Sequence, residues 1–170
     1  MDNLNYGVIG NGRSAALVSD KGSIDWCCLP DFDSPSMFAK LLDSDKGGSF
    51  EIIVDDSYSI TQKYLYRTNI LCTEFKSTEG TFEVIDFMPR YKTSDQDYFA
   101  PAELYRYIKY ISGKPSFRVK YCPAFNYARE PVASISEKDY IVTYSIEKPT
   151  DCIYLYTSLS FNYVLESNNF

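Results

Sequence analysis

The sequence predicts an all-β protein, an antiparallel β-sandwich, and three observations carry that expectation. Residues alternate with period two along Tyr58 to Tyr66, Phe117 to Tyr121 and Tyr140 to Ile146. Turn-forming residues cut the chain at steady intervals, at Ser19-Asp20-Lys21-Gly22, Asp55-Asp56, Thr78-Glu79-Gly80, Gly113-Lys114-Pro115 and Lys148-Pro149-Thr150-Asp151. Aromatic residues make up 16% of the chain, with 16 Tyr and 11 Phe. Such side chains fit a pleated, half-wet surface better than a helix face.

Taken in order, Tyr6 to Ile9 is a short strand before the turn cluster Gly10-Asn11-Gly12. Arg13 to Val18 and Ser23 to Leu29 form a hairpin, with Gly22 free to take φ > 0 in its turn. Pro30 stops the second strand, because proline has no N–H for a ladder. Ser34-Pro35 has the form of a helix start, with a serine cap and a proline at the first helical position. Met37, Phe38, Leu41 and Leu42 fall three or four apart, so one short helix is expected near 35–42, with Asp33 at its mouth. Gly47-Gly48 then releases a strand over Ser49 to Val54. After the alternating run from Tyr58, Ile70 to Ser77 and Thr81 to Met88 form a compact hairpin. In its second strand, Glu83, Ile85 and Phe87 share one face and Val84, Asp86 and Met88 the other. Pro89 to Pro101 is polar and irregular and reads as a long loop. Glu103 to Ser112 is a tyrosine-rich strand, and in the next Phe117, Val119 and Tyr121 oppose Arg118 and Lys120. Pro123 to Pro131 is a second loop. Tyr140, Val142, Tyr144 and Ile146 line up on one face, and Ile153, Leu155, Thr157, Leu159 and Phe161 form the last apolar face. About ten strands result, in a single domain spanning 1–170.

Composition narrows the function classes. A net charge of −6 opposes binding to phosphate backbones, so no nucleic-acid partner is expected. No apolar run approaches the roughly 20 residues of a membrane span, and MDNLNYGV is unlike a signal peptide. No membrane association and a cytoplasmic location are expected. Cys27, Cys28, Cys72, Cys122 and Cys152 form no CxxC pair, and the chain has no histidine. No metal site is therefore expected, and the cysteines read as reduced, small apolar residues. Histidine-dependent nucleophile arrangements are excluded, and Gly10-Asn11-Gly12 lacks the form of a phosphate loop, so no cofactor is expected.

The stretch GNGRSAALVSDKGSIDWCCLPDFDSPSMFAKLLD resembles the opening of the trehalase-like N-terminal domain of glycoside hydrolase family 15, the glucoamylase and trehalase group. YLYRTNILCTEFKSTEGTFEVIDFMPR and FAPAELYRYIKYISGKPSFRVKYCPAFNYAR are similar to that domain's later blocks. The resemblance implies a supersandwich-like β-domain joined to an α/α-barrel that carries the catalytic glutamates. It implies an inverting glycoside hydrolase as parent, acting on an α-glucan or trehalose. On this reading the chain is an N-terminal domain truncated before its barrel, inactive on its own. The rival readings are a free-standing carbohydrate-binding module and an oligomerising one.

Glycoside hydrolysis needs two flanking carboxyl groups. Asp25, Asp31, Asp33 and Asp86 are the acids in motif-like settings, and turn or cap roles fit each of them, so no catalytic residue is assigned. The resemblance turns the first block toward the barrel. Trp26, Phe32 and Asp33 are the substrate-proximal candidates: aromatic faces stack on sugar rings, and a carboxylate accepts from sugar hydroxyls. The family commonly has a basic residue where this chain has Asp31. Arg13 is expected to pair with Asp25 across the first hairpin.

Overall fold

The computed structural model describes residues 5–159. Its strands are β1 (Tyr6–Gly10), β2 (Ala15–Ser19), β3 (Ile24–Cys28), β4 (Ser36–Phe38), β5 (Ser49–Ile53), β6 (Ser59–Tyr64), β7 (Leu71–Lys76), β8 (Gly80–Phe87), β9 (Tyr91–Lys92), β10 (Tyr98–Phe99), β11 (Tyr105–Gly113), β12 (Arg118–Cys122), β13 (Val132–Ser136), β14 (Ile141–Ser145) and β15 (Cys152–Leu155). Among the described residues the one helical turn is α1 (Phe125–Ala128). All strand pairings are antiparallel. The expected all-β sandwich is what the chain forms.

The largest sheet runs β1-β2-β3-β5-β12, with β4 also beside β3. A second runs β11-β8-β7-β6, a third β13-β14-β15, and β9 and β10 form a two-residue ladder. Ile52 and Val119 of the first sheet pack on Phe75, Phe82 and Val84 of the second. Phe75 and Phe82 stack with ring centroids 4.7 Å apart, and Phe117 lies 4.7 Å from Phe82. A second core joins Ile9, Val18, Ile24, Phe38 and Tyr121 to Leu71 and, from the third sheet, Ile141. The predicted faces of β8 and β12 hold: Phe82, Val84 and Asp86 are buried, as are Val119 and Tyr121.

The helix expected near 35–42 is absent, which corrects that reading. Ser36 and Phe38 are buried with Met37 between them, the alternation of a strand, and Cys27 and Cys28 pair with Phe38 and Ser36. Beyond it the chain closes a tight turn, with Ala39 N–H donating to the Gly47 carbonyl at 2.6 Å and Gly47 N–H to Asp43 at 2.9 Å. A Cβ on Gly47 would sit 2.2 Å from the Ala39 carbonyl oxygen, so only glycine fits. Sheet pairing supplied partners that a local helix cannot offer, and Leu42 is left exposed.

Three further differences have local causes. The loop over Pro89 to Pro101 contains the β9–β10 ladder. Val132 to Ser136, unassigned from sequence, pairs along β14. In β14 the buried residues are Ile141, Thr143 and Ser145, so the Tyr140, Val142, Tyr144, Ile146 row faces outward. Of the last apolar face, Phe161 lies outside the described residues.

The helical turn α1 is left-handed. Asn126, Tyr127 and Ala128 have φ of 50°, 61° and 59°, a costly conformation for residues with a Cβ. Tyr127 N–H donates to Ser36 Oγ at 3.0 Å and the Asn126 amide to Glu130 Oε1 at 2.9 Å, which holds the turn in place.

Candidate functional site: a loop cluster at one end of the sandwich

Three loops meet at one end of the molecule, and a buried asparagine ties them together. Asn11 lies in the β1–β2 turn. Its Oδ1 accepts from the N–H groups of Arg13 and Ser14, at 3.0 and 3.1 Å. Its Nδ2 donates to the carbonyls of Pro101 and Pro89, at 2.8 and 3.2 Å. A buried amide whose capacity is used this fully specifies one arrangement. The Arg90 guanidinium reaches the Asn11 carbonyl and lies over the Tyr98 ring at 4.9 Å.

The loop after β3 docks on the same turn. Phe32 N–H donates to the Arg13 carbonyl at 3.1 Å, and Asp31 N–H donates to Ser34 Oγ at 3.0 Å. Ser34 therefore closes this loop and caps no helix. Arg13 pairs with Asp31, Nε to Oδ1 at 2.6 Å, so the expected Arg13–Asp25 pair is not formed. The Arg13 bond lowers the Asp31 carboxyl below its ordinary value. Both partners are open to water, so the pair orders the loop and adds little stability.

Of the sequence candidates, Phe32 is 61% exposed and projects from this loop. Asp33, next to it, is exposed and makes no hydrogen bond among the described residues. Trp26 stands apart in the middle of β3, half-buried, with its ring 5.9 Å from that of Tyr127. Arg129 lies on that tyrosine at 5.9 Å. Phe32 and Asp33 thus share a loop, while Trp26 belongs to a separate aromatic stack.

The other motif acids are committed to structure. Asp25 is buried, accepting from the Tyr6 hydroxyl at 2.9 Å and from Ser23 Oγ. Burial, with Asp25 adding to it, pushes the Tyr6 hydroxyl up to about 12. Asp86 is buried in a two-pronged bond to Arg106, at 2.8 and 3.0 Å. Arg106 also donates to the carbonyls of Phe50 at 2.6 Å and Gly22 at 2.8 Å. A pair of carboxyl groups able to act on a glycosidic bond is not among these contacts.

Among the described residues no cluster of three or more His, Cys, Asp or Glu is placed to hold a metal ion. The five cysteines are free thiols, and burial pushes that of Cys27 up to about 12 and those of Cys28, Cys72 and Cys122 up as well. Thiols so shifted are poor nucleophiles and behave as apolar packing. No described helix is long and apolar enough to cross a membrane.

Sequence features hinted at parts of this site. Gly10-Asn11-Gly12 was visible as a turn, but the hub role of Asn11 depends on carbonyls 78 and 90 residues away. Arg90 and Tyr98 sit in a loop without a periodic signal.

The fold is a β-sandwich in which Asp25, Asp31 and Asp86 are committed to structural bonds. The family described as "Trehalase-like, N-terminal" matches residues 5–160. This chain belongs to that family. It is 35% identical over 142 residues to a trehalase of Thermoplasma volcanium, covering 81% of this chain and 22% of that protein. It is 36% identical over 139 residues to trehalase 2 of Sulfolobus acidocaldarius, covering 82% and 22%. It is 52% identical over 84 residues to trehalase 1 of the same organism, covering 49% and 14%. The chain spans about a fifth of the length of the curated relatives it matches. No solved structure gives a significant match to it.

Proposed function

We propose that this chain is the non-catalytic N-terminal domain of a longer, cytoplasmic trehalase-like glycoside hydrolase, and that it braces a helical catalytic barrel. The observation that carries this reading is the coverage: 81–82% of the chain aligns with trehalases, yet the aligned stretch accounts for only 22% of their length. The commitment of Asp25, Asp31 and Asp86 to structural bonds supports the same division of labour. On this reading the catalytic acid and base belong to the remainder of the parent, and trehalose or a related α-glucan is its substrate.

The loop cluster supports a second part of the reading. Phe32 and Asp33 are adjacent and exposed on a loop pinned by Arg13, Ser34 and Asn11, which supports a rim offering an aromatic face and a carboxylate to a sugar ring. We assign these two to the rim of the parent's substrate entrance. Trp26, whose ring lies against Tyr127, braces the middle of β3 apart from this loop.

Intact mass of the native gene product and an assay for glucose released from trehalose test this reading. A product well above 19.5 kDa that hydrolyses trehalose is expected. Hydrolysis by the isolated 170-residue chain, abolished by replacing one of its acids, would overturn it.

A further inference from the structure

The left-handed turn α1 holds a strained backbone beside an aromatic corner. Asn126, Tyr127 and Ala128 all have positive φ, at 50°, 61° and 59°. Three residues with a Cβ persist there in succession only where their surroundings over-determine them, and such segments gather at ligand sites. Here Ser36 Oγ holds the Tyr127 N–H and Glu130 holds the Asn126 amide. The result buries Phe125 and turns Tyr127 and Arg129 out to solvent, next to Trp26.

That corner has unused capacity of two kinds. The Trp26 and Tyr127 rings meet at 40° with centroids 5.9 Å apart, so they are tilted and not stacked on each other. Arg129 lies 5.9 Å from the Tyr127 centroid, at the outer reach of a cation–π contact and too far to cover the ring. Its guanidinium, the Tyr127 hydroxyl and the Trp26 indole N–H make no hydrogen bond among the described residues. A purely apolar ligand gains nothing from these donors, and a small anion gains nothing from the rings. A sugar uses both, laying its C–H faces on the aromatics and accepting at its hydroxyls.

We propose that Trp26, Tyr127 and Arg129 form an auxiliary site for an α-linked gluco-oligosaccharide, separate from the Phe32–Asp33 loop. The inference rests on the reading of the parent as a trehalase-like glycoside hydrolase, which narrows the sugar to glucosyl units. The angle between the rings follows the bend between successive sugars of an α-linked chain, whereas a flat β-linked chain calls for coplanar rings. Trp26 carries one sugar and Tyr127 the next, and Arg129 donates to the hydroxyls of the second. The site holds the parent on a glucan without touching the bond being broken.

Native electrophoresis of the full-length parent through soluble starch tests this, with its catalytic site saturated by a non-hydrolysable trehalose analogue. The parent is expected to be retarded, and Tyr127→Ala and Arg129→Gln to weaken its apparent affinity for starch at least about fivefold. The Arg129 side chain is exposed and unbonded, so its variant keeps the test decisive if Tyr127→Ala does not fold. An unretarded parent, or Arg129→Gln retarded as strongly as the parent, would overturn the proposal. So would trehalose turnover that falls in step with starch retention, which would place these residues at the catalytic entrance. Hydrolysis of trehalose by an unretarded parent sinks the auxiliary site alone. Retardation lost in both variants, without hydrolysis of trehalose or malto-oligosaccharides, sinks the enzyme reading alone.

Discussion

Arg106 is one of the side chains that tie the two facing sheets together, beside Gln62 and Tyr64. It holds Asp86 of its own sheet in a two-pronged bond and reaches the Phe50 and Gly22 carbonyls of the other. Its side chain is only 3% exposed and Asp86 is fully buried. Removing one member strands the other as a buried, uncompensated charge. Arg106→Ala is therefore expected to cost about 3–5 kcal/mol in urea unfolding, and Arg106→Lys to recover little, since an ammonium lacks the planar fork. Glu51 offers a second test. Burial opposes its charge, but bonds from Lys40, Ser49 and Lys120 prevail and hold its carboxyl down at about 2, against an ordinary 4.5. The folded state thus favours the ionised form. Its contribution is whole above pH 4.5 and is lost as pH falls toward 2, on the order of 2–3 kcal/mol. Urea midpoints across that window should fall less steeply in Glu51→Gln than in the parent sequence. Asp86 was visible in the sequence as a motif-like acid. Its partner was not, because 20 residues of chain separate them and only strand pairing sets Arg106 opposite Asp86. The same limit explains Arg13, which finds Asp31 because the loop after β3 folds back over the β1–β2 turn.

At the scale of elements, hairpins were the most legible feature. β7 and β8 meet across a short turn as the expected hairpin, since a two-residue period and a glycine turn are both local signals. Phe75 and Phe82 face inward from this hairpin, and replacing Phe82 with Ala removes partners of Phe75, Tyr58 and Phe117. A loss of about 3–5 kcal/mol is expected in thermal or urea unfolding. Gly22 closes the β2–β3 turn at φ 74°, where a Cβ would meet the Phe75 ring at 2.8 Å. Gly22→Ala should lower the melting temperature beyond the effect of the same change at an exposed turn position. Residues 35–42 show the opposite case. Serine, proline and apolar spacing all spoke for a helix, and pairing with β3 overrode them. In β14 the expected alternation holds, but which face is inward was not legible from it. Its aromatic row is the outer one, and the inner row mixes Ile141 with Thr143 and Ser145, the former bonded to Ser134 at 2.8 Å.

For the whole molecule, the fold places one loop cluster at an end of the sandwich and leaves the Phe32–Asp33 loop projecting from it. In the full-length parent, Phe32→Ala and Asp33→Asn are expected to raise KM for trehalose by several-fold while shifting stability by less than about 0.5 kcal/mol, because neither side chain is packed or bonded. Steady-state kinetics beside thermal unfolding of the same variants checks this; unchanged KM in both removes the loop from the substrate entrance. Local patterns in the sequence determined the all-β class, most strand positions, the hairpin turns and the family, because alternation, turn residues and block motifs act over a few neighbours. Only tertiary structure decided the pairing of Arg106 with Asp86, the Asn11 knot, the strand at 36–38, the left-handed turn at 126–128 and the meeting of Trp26 with Tyr127. Each of these depends on partners brought together from distant parts of the chain, where buried polar groups take whatever bonds the assembled sheets provide.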